Sequence, residues 1–190
     1  MQSFEKEMKQ FLDKLNLPYE DNREANNMPD FSIWIADKIF RLEVKEKRRR
    51  TKLGNWPAVR TPEEFLFLID ELTARRVLCY APAAGVILRD NNHRRYVFVH
   101  VVNLWTQPRV RVNRKVSDTH MKGKWMLDMR NNVVTKSLDV AMRAVCEFAE
   151  KLDAIASVPG CLGHYVDEQI PIGGEYRTKA MKEYDYQVTR

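Results

Sequence analysis

A chain of 190 residues with 44% apolar and 31% charged side chains has material for one buried core and a small appendage. No apolar run approaches the ~18 residues of a membrane helix, and the first residues lack the apolar core of a signal peptide. Three cysteines without a C-x-x-C pair argue against a disulfide framework or a cysteine zinc site. The expectation is a soluble, cytoplasmic protein without a membrane partner, whose formal charge of +6 suits a polyanionic one.

The first predicted element is a helix over 3–15. Ser3 caps it, and Phe4, Met8, Phe11, Leu12 and Leu15 form a stripe at helical spacing. Residues 18–27 read as a weak edge strand or a loop. Phe31 to Ile35 and Ile39 to Lys45 then read as two strands around an Asp37-Lys38 turn. In the second strand Phe40, Leu42 and Val44 face one way, and Arg41, Glu43 and Lys45 the other. That turn sets Asp30 opposite Lys45 and Ser32 opposite Glu43. Asp30 and Glu43 become diagonal neighbours, roughly 7–8 Å apart at Cα. From Lys45 to Lys52, six of eight residues are basic; Lys47, Arg48, Arg49, Arg50 and Lys52 are candidate phosphate contacts.

Thr61-Pro62-Glu63-Glu64 carries a helix-start signature, which predicts a helix to about Arg76 burying Phe65, Leu68, Ile69 and Leu72. Val77 to Tyr80 reads as a buried strand, Val86 to Leu88 as another, and Arg95 to Trp105 as a long one. His93 and His100 have no partner at ligand spacing and read as structural. Residues 106–124 read as a charged loop in which Arg109, Arg111 and Arg114 could touch phosphates, followed by a strand over 124–129. Ser137 caps a second long helix with Leu138, Ala141, Met142, Val145, Phe148, Ala149, Leu152 and Ile155 on its apolar face. The last 34 residues hold four of the seven glycines and four of the seven tyrosines. The reading is therefore one domain over 1–156 and an irregular C-terminal extension over 157–190.

Two carboxylates a few ångströms apart can hold Mg²⁺, which favours oxygen ligands and keeps several waters. A nearby lysine can activate a water or stabilise charge on a phosphate. Taken alone, the three residues fit a solvated hairpin as well, with an Asp–Lys pair worth less than about 1 kcal/mol.

Asp30, twelve intervening residues, then Glu43-Val44-Lys45 resembles the motif of the PD-(D/E)xK phosphodiesterases. The element order resembles their restriction-endonuclease-like αβββαβ core, an α/β fold with a central mixed sheet flanked by helices. Over residues 1–80 the chain looks most like the archaeal-type Holliday junction resolvases, on Glu5-Lys6-Glu7-Met8, Asp30 and Glu43-Val44-Lys45. The resemblance implies Mg²⁺, with Mn²⁺ as a substitute, on Asp30, Glu43 and the Val44 carbonyl. Glu5 completes the edge of that site, and Lys45 orients the attacking water. It implies a DNA endonuclease acting on duplex or branched DNA as a homodimer, with the 96–105 strand and the tail as interface material. A nuclease of the same chemistry with a restriction, transposon-end or repair target is the alternative, and a non-catalytic nucleic-acid binder of the same fold is another.

Overall fold

The structure, a computed structural model, describes residues 2–25, 27–55, 61–107, 109–115 and 121–152, with only the backbone of residues 55, 114, 115 and 121. The 157–190 extension lies outside the described residues. Helix α1 (Phe4–Lys14) leads into strands β1 (Tyr19–Asp21), β2 (Phe31–Ile35) and β3 (Lys38–Lys47). After them come β4 (Leu66–Asp70), α2 (Glu71–Leu78), β5 (Ala84–Asp90), β6 (Arg95–His100) and α3 (Val101–Thr106). The hairpin β7 (Arg109–Lys115) and β8 (Met121–Asp128), the short β9 (Val133–Thr135) and α4 (Leu138–Glu150) complete the order.

The expected α/β class holds. Six strands form one mixed sheet in the order β1-β2-β3-β5-β6-β9, in which only β3 and β5 run parallel. Its two faces bury separate cores. On one, Phe4, Met8 and Leu12 of α1 and Leu138, Ala141, Met142 and Val145 of α4 meet Phe31, Ile33, Phe40, Leu42 and Val44. On the other, α2, α3 and a second antiparallel sheet, β4-β8-β7, cover Val86, Leu88, Val97 and Val99. Every residue of β5 is buried, as expected of a central strand covered on both sides. Gly85 sits where a Cβ would come 2.7 Å from the Phe98 ring, so the close approach of β5 and β6 there needs glycine.

Ser3 caps α1, its hydroxyl accepting from Lys6 N–H. The edge strand, the charged face of β3 and helix α4 also stand where expected, with Ile155 of its expected apolar face lying outside the described residues. The hairpin turn does not. It falls on Ala36-Asp37, with Ala36 at φ 55°, and pairs Ile35 with Lys38, Ser32 with Arg41 and Phe31 with Leu42. Continued by one residue, that register sets Asp30 across from Glu43 rather than Lys45. The slip is two residues, so the same side chains still face the same sides; alternation fixes parity, not register.

Four further expectations are corrected. The 61–76 helix is a single 3-10 turn (Glu63–Phe65), then strand β4, and α2 begins only at Glu71. Leu66 to Ile69 pair with Met126 to Asp128 and Trp125 of β8 instead, so tertiary pairing overrides the helix-start signature, and Leu72 is left 70% exposed. Val77 and Leu78 end α2 rather than begin a strand. The long strand stops at His100, whose Nδ1 accepts from Asn103 N–H at 3.2 Å and starts α3. The charged loop at 106–124 is mostly the β7–β8 hairpin, a period-two Arg-Val-Arg-Val pattern that the charges mask.

Candidate active site

Asp30 precedes β2, and Glu43 and Lys45 share one face of β3. The Asp30 Oδ2 accepts from Val44 N–H at 2.8 Å, a bond that ties the end of β2 to β3. Asn22 N–H donates to the Asp30 carbonyl at 2.8 Å. Glu43 is wholly buried. Its Oε1 takes the Lys45 ammonium at 2.5 Å and the Arg76 guanidinium at 2.7 Å, while its Oε2 has no hydrogen-bond partner. Lys45 is also 3.9 Å from Asp30 Oδ2. The three motif residues therefore converge, and α2 adds Arg76. No spacing in the sequence pointed to Arg76; it arrives through the packing of α2 on β3.

Burial pushes the Glu43 carboxyl above the ordinary range; Lys45 opposes this, Asp30 adds to it, and Arg76 opposes it. Two cations do not fully offset the loss of solvent. A buried carboxylate oxygen with nothing bound to it is costly, and such strain gathers at functional sites.

Glu5 stands apart. It lines a cleft of about 300 Å³ with Ser3, Phe4, Val44, Lys45, Glu46 and Arg48. Asp30 and Glu43 lie outside that lining, and Val44 and Lys45 join the two places. Among the described residues no three of His, Cys, Asp and Glu gather as a metal group. Glu7 is a different case: it binds Arg89 and takes a hydrogen bond from the Tyr96 hydroxyl at 2.8 Å. Of the two acids in the Glu-x-Glu run, Glu5 faces the cleft and Glu7 braces the fold.

No family model, no curated protein and no solved structure matches the chain.

The candidate phosphate contacts divide sharply. Arg49, Arg50 and Lys52 are exposed beyond the end of β3, and Arg48, exposed too, bonds Glu46 at 2.7 Å. Lys47 is removed from this group: it is buried, with its ammonium on the Glu63 carboxylate at 2.9 Å and on the carbonyls of Glu63 and Leu66. It stands on the same face of β3 as Glu43 and Lys45, but these three partners occupy its ammonium. Arg111 is held by Glu71 at 2.8 Å. Arg109 donates to the Trp105 carbonyl at 2.6 Å and stacks over Trp125 at 4.3 Å. Arg109 is thereby taken up by the fold, whereas Arg111, though paired with Glu71, keeps its side chain 51% exposed. For Arg114 only the backbone is described. His93 pairs with Asp90 at 2.9 Å, and His100 stacks on Phe148 at 4.5 Å; both are structural, as expected.

The donor set at the pair fits a hard divalent cation. It offers two carboxylates from adjacent strands, one with an oxygen to spare. In a strand the N–H and C=O of one residue point the same way. The Val44 N–H points at Asp30, so its carbonyl opens on the same side, beyond the last β2–β3 pair. Mg²⁺ is commonly held by one or two carboxylates, with waters and phosphate oxygens filling the remaining positions.

Proposed function

We propose that this chain is a metal-dependent DNA endonuclease of the PD-(D/E)xK kind, with Mg²⁺, or Mn²⁺ in its place, held by Asp30, Glu43 and the Val44 carbonyl. The observation that carries this reading is the buried Glu43 with its unpartnered Oε2, set against Asp30 and Lys45. The chain order α1, β1, β2, β3, α2, β5 agrees with the αβββαβ core, with β4 inserted before α2. A cation bound at the pair would supply Lewis-acid stabilisation to the scissile phosphate. Lys45, whose side chain is a third exposed, orients the attacking water and meets charge developing on the phosphate. Glu5 holds the cleft's outer edge. Arg48, Arg49, Arg50 and Lys52 grip the phosphate backbone and position it without reading sequence.

Branched DNA is the first substrate to try, by the likeness of Glu5-x-Glu7, Asp30 and Glu43-x-Lys45 to junction resolvases. A twofold dimer would set two such sites for paired cuts. It would not use the edge of the 96–105 segment, because β6 is enclosed between β5 and β9. Among the described residues no helix is long and apolar enough to cross a membrane. The deciding experiment compares Mg²⁺-dependent cleavage of a four-way junction, a linear duplex and a single strand by the wild type, D30N and E43Q. Cleavage of the junction alone by the wild type supports the resolvase reading, and cleavage of linear duplex supports another nuclease target. Binding without any cleavage, with Mg²⁺ or Mn²⁺, returns the chain to a non-catalytic binder. Sedimentation with and without the junction tests the dimer.

A further inference from the structure

The carboxylate pair already has a resident cation. The Lys45 ammonium is 2.5 Å from Glu43 Oε1 and 3.9 Å from Asp30 Oδ2. It therefore stands between the two groups that the proposed metal would use. Arg76 reaches the same Oε1 from α2. The two cations differ in freedom. Lys45 carries a point charge on a flexible four-carbon stem and is 32% exposed; Arg76 carries a planar fork and is 19% exposed.

We propose that Lys45 is the exchangeable cation of this pair, occupying Asp30 and Glu43 in the free protein and leaving them as a divalent cation binds. The proposal rests on the reading that Asp30 and Glu43 hold a divalent metal. Its physical basis is charge. Two carboxylates, one ammonium and one guanidinium sum to zero, so the free site is neutral. A divalent cation beside an ammonium that had not moved would set like charges a few ångströms apart, in surroundings where burial weakens screening. Lys45 has somewhere to go, since it already lines the cleft formed with Glu5, Val44, Glu46 and Arg48. Arg76 stays on Glu43 meanwhile, so the buried carboxylate is never without a cation. Metal loading would thus deliver the lysine to the side from which Arg48 and its neighbours present a phosphate.

The test is calorimetric titration with Mn²⁺, without DNA, on the wild type, K45M, K45Q, K45R and D30N. Removing a competing charge should tighten Mn²⁺ binding in K45M and K45Q by about tenfold or more, while K45R, which keeps the charge, stays near the wild type. Because Arg76 remains on Glu43, neither neutral variant strands a buried charge, and two side chains of different shape guard against a folding artefact in one. Equal or weaker binding in folded K45M and K45Q would overturn the exchange while leaving the metal site standing. No Mn²⁺ binding by the wild type, or unchanged binding in D30N, would overturn the metal reading and the exchange with it.

Discussion

Glu43 and Glu46 lie three residues apart on β3, and their surroundings treat them in opposite ways. Both Glu46 oxygens are used: Oε1 by Arg89 and by Asn91 at 2.6 Å, Oε2 by Arg48 at 2.7 Å. Burial works to raise the Glu46 carboxyl, yet hydrogen bonds from Arg89, Asn91 and Arg48 overcome it and draw the pKa down to about 2. Glu43 has two cations on one oxygen and nothing on the other, and burial prevails. The Glu7–Arg89–Glu46–Tyr96 group ties α1 to the sheet, and all four of its carboxylate oxygens have partners. The Asp30–Glu43–Lys45–Arg76 group leaves one oxygen open in a buried place. Carboxylates whose oxygens are all bonded brace a fold, whereas a buried carboxylate with an open oxygen marks where a cation can repay the cost.

Four results would break or sharpen that contrast. The largest effect is expected on chemistry. D30N and E43Q should each lower Mg²⁺-dependent DNA cleavage by at least about 10²–10³-fold while still binding DNA. Near wild-type cleavage by either would remove that residue from the site.

Next comes acid stability. The Glu46 pKa is depressed in the folded state, so its contribution is present above the ordinary glutamate range and is lost as pH falls through that range towards about 2. The shift corresponds to about 3 kcal/mol at neutral pH. E46Q should lose that amount in urea melts at pH 7 and converge with the wild type below about pH 2. A constant difference at every pH would assign the loss to packing instead.

A smaller effect is expected on binding. Changing Arg48, Arg49 and Arg50 together to alanine should weaken DNA binding about tenfold and flatten the plot of log affinity against log salt by about two units. Lys47→Met should leave that slope unchanged while lowering stability, because its ammonium serves Glu63 and two carbonyls. A slope altered by Lys47→Met would restore it to the binding surface.

The smallest effect has an informative sign. The Glu43 pKa is raised, so its ionised form is a net cost to folding above the ordinary glutamate range. E43Q should therefore melt no lower than the wild type at pH 7, unlike E46Q. A clear loss of stability would mean that Glu43 braces the fold as Glu46 does.

The sequence made the site's membership legible and its register illegible. Alternation from Phe40 to Lys45 puts Glu43 and Lys45 on one face, so the one-residue shift of the turn, which moves the register by two, changed only which residue faces Asp30. Arg76 could not be found, because the contact joins residues 33 apart through the docking of α2. Its own helix begins later than the cap signature predicts: Leu66 to Ile69 suit a strand or a buried helix, and the choice depends on β8, nearly sixty residues away. The basic residues showed the same limit. Charge runs can be read from sequence, but whether Lys47 or Arg109 is taken up by the fold depends on partners that only the folded chain brings near.

The central claim is that the open oxygen on Glu43 marks a divalent-cation site and that the fully bonded carboxylates of Glu7 and Glu46 do not. Calorimetric titration with Mn²⁺ on the wild type, E43Q and Glu7→Gln tests it most directly. The expected result is one site in the wild type, lost or weakened at least about tenfold in E43Q and unchanged in Glu7→Gln. Equal binding by the wild type and E43Q, or none by the wild type, would contradict it.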